Sequence, residues 1–233
     1  MKQLPETILF DLDGTLLGMD EEKFTKLYLG LLAKEFETKL NPQKLVKAVW
    51  DGVGAMVVND GSKKNADVFW DVLNKEFGQD LKPMWPEFEQ FYEHKFDEAE
   101  SSCCKNVDAV NLINKLKDSH RLILATNPIF PEIAVKKRLG WAGIDPNVFE
   151  YITTYENSSF CKPDPRYYEE ILKKRNLSAD ECIMIGNDAN EDMAAMEAGI
   201  PTILVTDCLI NRKNKDLNQY TVMTMHELAE TAQ

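Results

Sequence analysis

The chain has 233 residues, 44% of them hydrophobic and 28% charged, which is the composition of an ordinary globular protein with a sizeable core. This length and composition exclude a multidomain array, a disordered chain and a collagen-like repeat. The formal net charge of −12, from 39 acidic and 27 basic residues, repels phosphate groups and therefore excludes nucleic acids and anionic membrane surfaces as expected partners.

The sequence contains no pattern that predicts membrane insertion or export. No apolar run approaches the ~18–20 residues that span a bilayer. The first six residues also lack the apolar stretch of a signal peptide. The five cysteines are odd in number and include no Cys-x-x-Cys pair, which indicates reduced thiols rather than disulfides or a zinc site. We therefore expect a cytoplasmic protein.

The predicted elements begin with a short β-prone run over residues 6–10 that ends directly on an acidic turn. Residues 18–104 then contain helical patterns and no clear strand, which indicates an all-helical lobe inserted after the first strand. The helices predicted in this lobe cover residues 21–36, 42–58, 65–77 and 85–98.

From residue 105 onward, predicted strands alternate with predicted helices. The strands cover residues 122–125, 182–185 and 201–206, and the helices cover 107–117, 131–139, 165–175 and 190–198. This alternation predicts an α/β fold with a Rossmann-like parallel sheet wrapped by helices on both faces. The predicted core is thus discontinuous, with residues 1–17 and 105–233 in the core and residues 18–104 in the lobe. Sheets of this kind bind ligands at the carboxyl ends of their strands.

Two carboxylates follow the first predicted strand directly. Asp11 and Asp13 are two residues apart, so that in extended chain they face the same side, and Gly14 comes next. A calcium loop would need an acid or amide at its fifth position and glycine at its sixth, where this chain has Thr15 and Leu16. A plain polar turn at the strand end is the alternative interpretation.

Two further polar segments stand at corresponding places. The strand at 122–125 is followed by Thr126 and Asn127, whose hydroxyl and amide can donate hydrogen bonds to an anion. Lys162 stands just before the helix at 165–175, in a backbone stiffened by prolines. Taken alone, the first segment is also typical of a turn and the second of a solvated surface lysine.

The last polar segment is acidic and follows the strand at 182–185. Within residues 186–192, Asp188 and Asp192 are four apart and can face one pocket if a helix begins between them. Carboxylates at such a place are also ordinary helix caps. The order of all these groups favours a site, because each follows an apolar strand or precedes a helix and one sheet edge can gather them.

This set of residues, in this order, resembles the haloacid dehalogenase superfamily of phosphotransferases over nearly the whole chain. The family signature DxDGT is similar to residues 11–15, the hydroxyl motif to Thr126, the lysine motif to Lys162 and the acidic motif to residues 186–192. The segment 162–202 resembles the branch of phosphoglycolate phosphatase and β-phosphoglucomutase. Members of that branch carry a helical cap after the first motif.

The resemblance implies a hydrolase that acts on the phosphate monoester of a small metabolite. Asp11 would attack the phosphorus and form an aspartyl-phosphate that water then hydrolyses. Asp13 would act first as general acid and then as general base. Thr126 and Lys162 would complete the catalytic set, and together with Asn127 they would bind the phosphate.

The resemblance also implies Mg²⁺ as cofactor, held by Asp11, the Asp13 backbone carbonyl and one residue of the acidic motif. Many relatives place Asp directly after the glycine of that motif, whereas this chain has Asn187 there and Asp188 next. Because an amide lacks the charge that attracts a divalent cation, we choose Asp188 as the ligand. Asp192 is expected to contact the metal ligands rather than the metal itself.

Other activities of the same fold are less favoured. A phosphomutase of the β-phosphoglucomutase type shares every motif, and a non-catalytic binding protein could keep the fold. A dehalogenase lacks a carboxylate at the position of Asp13, and a phosphonatase would need a reactive lysine in the cap that nothing in the sequence singles out. The sequence leaves the substrate and the oligomeric state open.

The resemblance also implies that a loop between cap helices contacts the group that leaves the phosphate, and two segments are candidates for it, although both are also typical of plain connectors. Residues 50–55 contain two glycines within a helical pattern, each of which costs roughly 1 kcal/mol against alanine in a helix interior, and such a cost indicates a required break or a close approach. Residues 59–64 form a flexible turn with two lysines and are the alternative. We favour residues 50–55, because Trp50 beside mobile backbone could shield a closing site from water.

Overall fold

The structure is a computed structural model, and it describes residues 4–232. The start of the chain, on which the expectation of no signal peptide rests, lies partly outside the described residues. The strands are β1 (Thr7–Phe10), β2 (Leu17–Met19), β3 (Cys103–Lys105), β4 (Arg121–Leu124), β5 (Tyr151–Ile152), β6 (Cys182–Gly186), β7 (Thr202–Val205) and β8 (Thr221–Met223). The α-helices are α1 (Glu21–Glu35), α2 (Pro42–Val57), α3 (Asn65–Phe77), α4 (Trp85–His94), α5 (Val107–Leu116), α6 (Glu132–Ala142), α7 (Pro165–Arg175) and α8 (Met225–Thr231).

Six of the strands form one parallel sheet in the order β5-β4-β1-β6-β7-β8. All four residues of β1 are buried, as expected for a central strand with helices on both faces. Ile8 and Phe10 pack against α5, α6 and α8, whereas Leu9 packs against α7 on the opposite face. The expected α/β fold with a helical insertion is confirmed.

The helices α1 to α4 form the cap, and an antiparallel ribbon of β2 and β3 joins it to the sheet. Gly18 pairs with Cys104 in this ribbon. The expectation of no strand in residues 18–104 is therefore wrong at both ends of the segment, because strands of three residues are too short to show an alternating pattern. The proposed division at 17/18 and 104/105 falls inside the ribbon and stays a prediction.

Aromatic side chains fill the space between the cap and the sheet. Tyr28 of α1 lies 5.3 Å from Phe130 of the core and 5.8 Å from Phe96, measured between ring centroids. Phe36 and Phe88 stack within the cap at 4.2 Å. These rings belong to the same buried cluster as Ile8 and Phe10, so one continuous hydrophobic core supports both parts of the chain.

The acidic segment and the C-terminal part of the cap are less regular than expected. The helix predicted at 190–198 is a turn followed by a short 3₁₀ helix, Met193–Ala198, which ends at Gly199 with a left-handed φ of 82°. The Asp188 carboxylate binds the backbone N–H groups of Asn190 and Glu191, and such local bonds compete with an α-helical start. Similarly, α4 ends at His94 and gives way to a 3₁₀ helix, Phe96–Ser102.

None of the helices within residues 4–232 combines the length and the apolar character that a bilayer span requires.

The segment 50–55 is not a loop, which corrects our choice of a leaving-group contact. It lies inside α2, and the Trp50 side chain is 54% exposed rather than turned toward the sheet. A Cβ atom on Gly52 would lie 2.6 Å from the Phe69 ring of α3, whereas one on Gly54 would meet no atom within 4 Å. The first glycine thus permits close packing of two helices and does not break one.

The two glycines of α2 provide a matched pair of substitutions. Gly54→Ala should raise the free energy of unfolding by up to about 1 kcal/mol, because alanine favours the helix and meets open space. Gly52→Ala should lower it by about 1–3 kcal/mol, because its methyl group overlaps the Phe69 ring. Urea denaturation measures both, and equal effects of the two substitutions would contradict this packing.

Candidate active site

The sheet brings the ends of its three central strands to one edge. Phe10 of β1 is in register with Leu124 of β4 and with Ile185 of β6. The next residue, Asp11, donates its backbone N–H to the Ile185 carbonyl at 2.9 Å. The polar segments that follow β1, β4 and β6 therefore leave the sheet side by side, as the strand pattern predicts.

Lys162 joins two of these segments. Its side chain is 1% exposed, and its Nζ lies 2.8 Å from Asp11 Oδ1 and 2.6 Å from Asp192 Oδ1. It precedes α7 in a loop whose Lys162–Pro163 peptide bond is cis. The interpretation of Lys162 as a solvated surface lysine is thus wrong, since its ammonium group is buried between two carboxylates.

The glycine after the two aspartates makes room for the acidic segment. Gly14 has a left-handed φ of 82°, and a Cβ atom there would lie 2.2 Å from Asn187 Nδ2. The Thr15 hydroxyl lies 3.0 Å from Asn187 Oδ1 and 3.4 Å from Asp11 Oδ2. Asn187 also donates to the Cys208 carbonyl at 2.7 Å, so both ends of its amide already have partners.

The acidic segment is organised by its two aspartates. Asp192 Oδ2 accepts the Asp188 N–H at 2.8 Å, and Asp192 lies so close to Gly186 that a Cβ atom there would overlap its carboxyl group. Asp188 Oδ1 accepts two backbone N–H groups of the turn, at 2.6 and 2.9 Å. Among the described residues, Asp188 Oδ2 has no hydrogen-bond partner and is free for a ligand.

Thr126 and Asn127 lie at the same edge. Thr126 is buried, and its carbonyl accepts hydrogen bonds from Thr153 at 2.7 Å and from the Tyr167 hydroxyl at 2.9 Å. Asn127 Nδ2 donates to Glu191 Oε2 at 3.0 Å and so connects the segment after β4 with the acidic segment. Asn127 Oδ1 is buried and has no partner in the part of the chain that the structure describes.

The match to known proteins extends over most of the chain. Residues 5–199 match the model of the haloacid dehalogenase-like hydrolases. The chain belongs to this hydrolase family. It is 28% identical over 223 residues to a phosphoglycolate phosphatase of Colwellia psychrerythraea, covering 94% of this chain and 91% of that protein. Over 85 residues it is 29% identical to a glyceraldehyde 3-phosphate phosphatase of Methanothermobacter thermautotrophicus, covering 35% of this chain and 38% of that protein.

The fold comparison agrees with this membership. A crystal structure of a haloacid dehalogenase phosphatase from Thermococcus onnurineus has a TM-score of 0.58 to this chain, at 20% identity, covering 97% of this chain and 96% of the other. At 20% sequence identity, this structural similarity is evidence for the fold alone. The family resemblance expected from the motifs is confirmed.

Arg138 is a site residue of this hydrolase that the sequence analysis missed. It lies on α6 with a side chain that is 1% exposed, and its Nη1 pairs with Asp13 Oδ2. Its guanidinium stacks on the Phe130 ring, 4.4 Å from the centroid. A signal was present in the sequence, because Arg138 lies on the apolar stripe of α6 between Ala134 and Ala142, where an unpaired charge would be costly.

Glu191 is the second site residue that was missed, and its environment changes its acidity. Burial raises the pKa of Glu191 to about 7, and the carboxylates of Asp188 and Asp192 add to this, against the charge of Lys162 and the hydrogen bond from Asn127. A glutamate with this pKa is partly protonated near neutral pH. The sequence shows only one more acid in an acidic segment, so burial was the missing information.

The charges of the site do not balance within the protein. Five carboxylates lie at this edge (Asp11, Asp13, Asp188, Glu191 and Asp192), against the two buried cations Lys162 and Arg138. Burial acts to lower the pKa of Lys162, but the charges of Asp11 and Asp192 outweigh it and hold that pKa well above its ordinary value. Lys162 therefore stays protonated, and the remaining negative charge suits an added cation.

The raised pKa of Glu191 gives the metal-free protein a pH-dependent stability. The pKa in the folded state lies above the ordinary value of 4.5, so the protonated carboxyl stabilises the fold below about 4.5 and this contribution is lost as the pH rises through about 7. Glu191→Gln is neutral throughout and escapes this loss. The difference in melting temperature between Glu191→Gln and wild type should therefore increase by several degrees, in favour of the variant, as the pH is raised from about 5 to about 8.

Thermal denaturation in EDTA measures this difference, and titrating groups common to both proteins cancel. A difference in melting temperature that stays constant over the pH range would contradict the buried state of Glu191.

Proposed function

We propose that the protein is a Mg²⁺-dependent phosphatase that hydrolyses a small phosphate monoester through an aspartyl-phosphate on Asp11. The observation that carries this proposal is the Lys162 ammonium bound to Asp11 Oδ1, with the second carboxylate of Asp13 two residues further on. The two relatives named above as phosphatases of small metabolites support it. Phosphoglycolate, which appears in the name of the longer match, is the first substrate to assay.

In the proposed first step, a carboxylate oxygen of Asp11 attacks the phosphorus and the bond to the leaving oxygen breaks. Asp13 gives its proton to that oxygen, so a neutral alcohol leaves. Lys162, Thr126 and Asn127 bind the phosphoryl oxygens, whose charge spreads in the transition state. The contact with Arg138 fixes the position of the Asp13 side chain, and Asp13 has to take up a proton, at the expense of this ion pair, before it can act as the acid.

In the proposed second step, water attacks the phosphorus of the aspartyl-phosphate. Asp13, now ionised, takes the proton from this water, and the bond between phosphorus and Asp11 breaks. The Asp11 carboxylate is restored and inorganic phosphate leaves. Two easier displacements thus replace one difficult displacement, and a single residue supplies the acid and then the base.

Within residues 4–232, no group of three or more Asp, Glu, His or Cys side chains is placed to hold a metal ion, so the proposed magnesium site combines two carboxylates with a backbone carbonyl. Mg²⁺ prefers carboxylate and carbonyl oxygens, and the ligands proposed for it are Asp11, the Asp13 backbone carbonyl and Asp188, whose Oδ1 is bound to the Asn190 N–H. Burial raises the pKa of Asp11 despite Lys162, so this carboxylate gains from an added cation. Bound there, Mg²⁺ would neutralise charge on the phosphoryl oxygens.

Substitution of Asp11 tests the nucleophile. Asp11→Asn should abolish turnover of an aryl phosphate with Mg²⁺ present, because an amide oxygen is a poor nucleophile and forms no stable phosphoryl ester. Steady-state kinetics measures the loss, and circular dichroism checks that the fold is kept. Ordinary activity in a folded, uncontaminated Asp11→Asn protein would end the assignment.

Substitution of Asp13 tests the acid with two kinds of leaving group. Asp13→Asn should lower kcat/KM about 10²–10⁴-fold for an alkyl phosphate and less for an aryl phosphate, whose leaving oxygen needs little protonation. The variant should also melt at a lower temperature, because it leaves the buried Arg138 without its charged partner. Equal losses for both leaving groups would count against the acid role.

The metal assignment distinguishes two neighbouring residues. EDTA should silence the enzyme and Mg²⁺ should restore it. Asp188→Ala should raise the Mg²⁺ concentration for half-maximal activity by about tenfold or more, because a charged ligand is lost, and Asn187→Ala should raise it far less. A third variant, Asp188→Asn, keeps an oxygen that can accept the Asn190 and Glu191 N–H groups and removes only the negative charge. It therefore distinguishes loss of the charged ligand from loss of these hydrogen bonds.

A measurement without turnover accompanies this series. Mg²⁺ should raise the melting temperature of the wild type and should raise that of Asp188→Ala much less. If Asn187→Ala gave the larger loss in both measurements, the acidic motif would be aligned one residue wrongly.

A further inference from the structure

The start of α3 is the place where the cap is hydrogen-bonded most directly to the core. The backbone N–H of Asn65 donates to the Ser158 carbonyl at 2.9 Å, and that of Ala66 donates to the Tyr155 carbonyl at 2.8 Å. Lys64 adds an ammonium group 3.2 Å from the Asn157 carbonyl and 3.1 Å from the Ser159 hydroxyl. Two free N–H groups in the first turn of a cap helix are thus satisfied by a core loop.

The Asn65 side chain continues this contact into the active site. It is 0% exposed, and its Nδ2 lies 3.2 Å from the Pro128 carbonyl, 3.3 Å from the Phe160 carbonyl and 3.3 Å from Cys161 Sγ. Pro128 directly follows Asn127, and Cys161 directly precedes Lys162. One amide group of the cap therefore bridges the two core loops that carry the proposed phosphate-binding side chains.

The neighbouring turn of the cap fixes the direction of this amide. Asn59 Nδ2 donates to Asn65 Oδ1 at 2.8 Å, which assigns the oxygen to the cap and turns the Nδ2 donors toward the core. Gly61 has a φ of 91°, and a Cβ atom there would lie 2.3 Å from the Phe160 ring. The turn 59–64 was the less favoured of the two cap segments. It is the segment that contacts Phe160, in the loop that carries Lys162.

We propose that Asn65 is a positioning residue of the phosphate site, through which docking of the cap and binding of phosphate are coupled. Its donors hold the loop with Thr126 and Asn127 at a fixed distance from the loop with Lys162. Because the donors belong to the cap, this bridge exists only while α3 is docked, and it adds to the bond within the core from the Tyr167 hydroxyl to the Thr126 carbonyl. The inference rests on the proposed function, which assigns phosphate binding to these loops.

Two consequences follow from this coupling. Phosphate bound in the core should protect the docked cap segment, because coupling between two equilibria acts in both directions. Loss of the Asn65 donors should weaken phosphate binding whatever alcohol the phosphate is attached to, since Asn65 contacts the phosphate loops and no leaving group.

The experiment compares Asn65→Ala with Asn74→Ala, a matched control in the same helix. Within residues 4–232, the Asn74 side chain forms its hydrogen bonds in the cap alone, with the Leu81 N–H at 2.7 Å and with Asp80 at 3.1 Å. Calorimetric titration of Mg²⁺-loaded protein with inorganic phosphate should show a dissociation constant about tenfold higher for Asn65→Ala, as expected for one or two lost hydrogen bonds. Asn74→Ala should match the wild type.

Hydrogen exchange supplies a measurement on the wild type itself. Inorganic phosphate should slow amide exchange in residues 58–66 of the wild type and of Asn74→Ala, but not of Asn65→Ala. Loss of kcat/KM in Asn65→Ala should be the same for an aryl phosphate and for phosphoglycolate. A purely structural role would lower the melting temperature of Asn65→Ala and leave its phosphate response intact.

The outcomes separate this inference from the proposed function. A wild type that binds phosphate but shows no protection of residues 58–66 would overturn the inference alone, even if Asn65→Ala failed to fold. Unchanged phosphate affinity in Asn65→Ala would do the same. A wild type that neither binds phosphate nor hydrolyses any ester would overturn the proposed function, and the inference with it.

Discussion

The ammonium group of Lys162, buried between Asp11 and Asp192, is the interaction on which the rest of the site depends. A buried charge of this kind is tolerated only where opposite charges and hydrogen bonds surround it. Asp11 is supplied by the end of β1 and Asp192 by the segment after β6, so the pair of strands must be in register for the lysine to be neutralised. The arrangement of the sheet and the chemistry of its edge are thus one constraint.

The glycines of the motifs serve the same constraint. The missing side chain at Gly14 leaves space for the amide of Asn187, and the missing side chain at Gly186 leaves space for the carboxyl group of Asp192. Each glycine belongs to one polar segment and makes space for a side chain of the acidic segment. The glycine of the first motif thus reflects a contact with a distant part of the chain, and that of the acidic motif reflects a contact within its own segment.

The central strands and the main site residues could be predicted because their signals are local. A buried parallel strand is a short apolar run, and β1, β4 and β6 each lead directly into polar residues. The strands β2, β3, β5 and β8 have two or three residues and carry no such pattern. Arg138 and Asn65 were not predicted for a different reason, since their partners lie far away in the sequence. The choice of residues 50–55 as the leaving-group contact was wrong because a glycine in a helical pattern indicates either a break or a close approach, and the sequence does not show that Phe69 is the group that approaches Gly52.

The ribbon of β2 and β3 has a consequence for protein engineering. Both chain crossings between cap and core lie side by side, and backbone hydrogen bonds rather than particular side chains set their register. A helical insert from another protein could therefore be grafted between residues 19 and 103 with its two ends already at the right separation. Gly18 is the position to keep in such a chimera, because a Cβ atom there would lie 2.5 Å from Cys104 Sγ and that thiol would have to turn away.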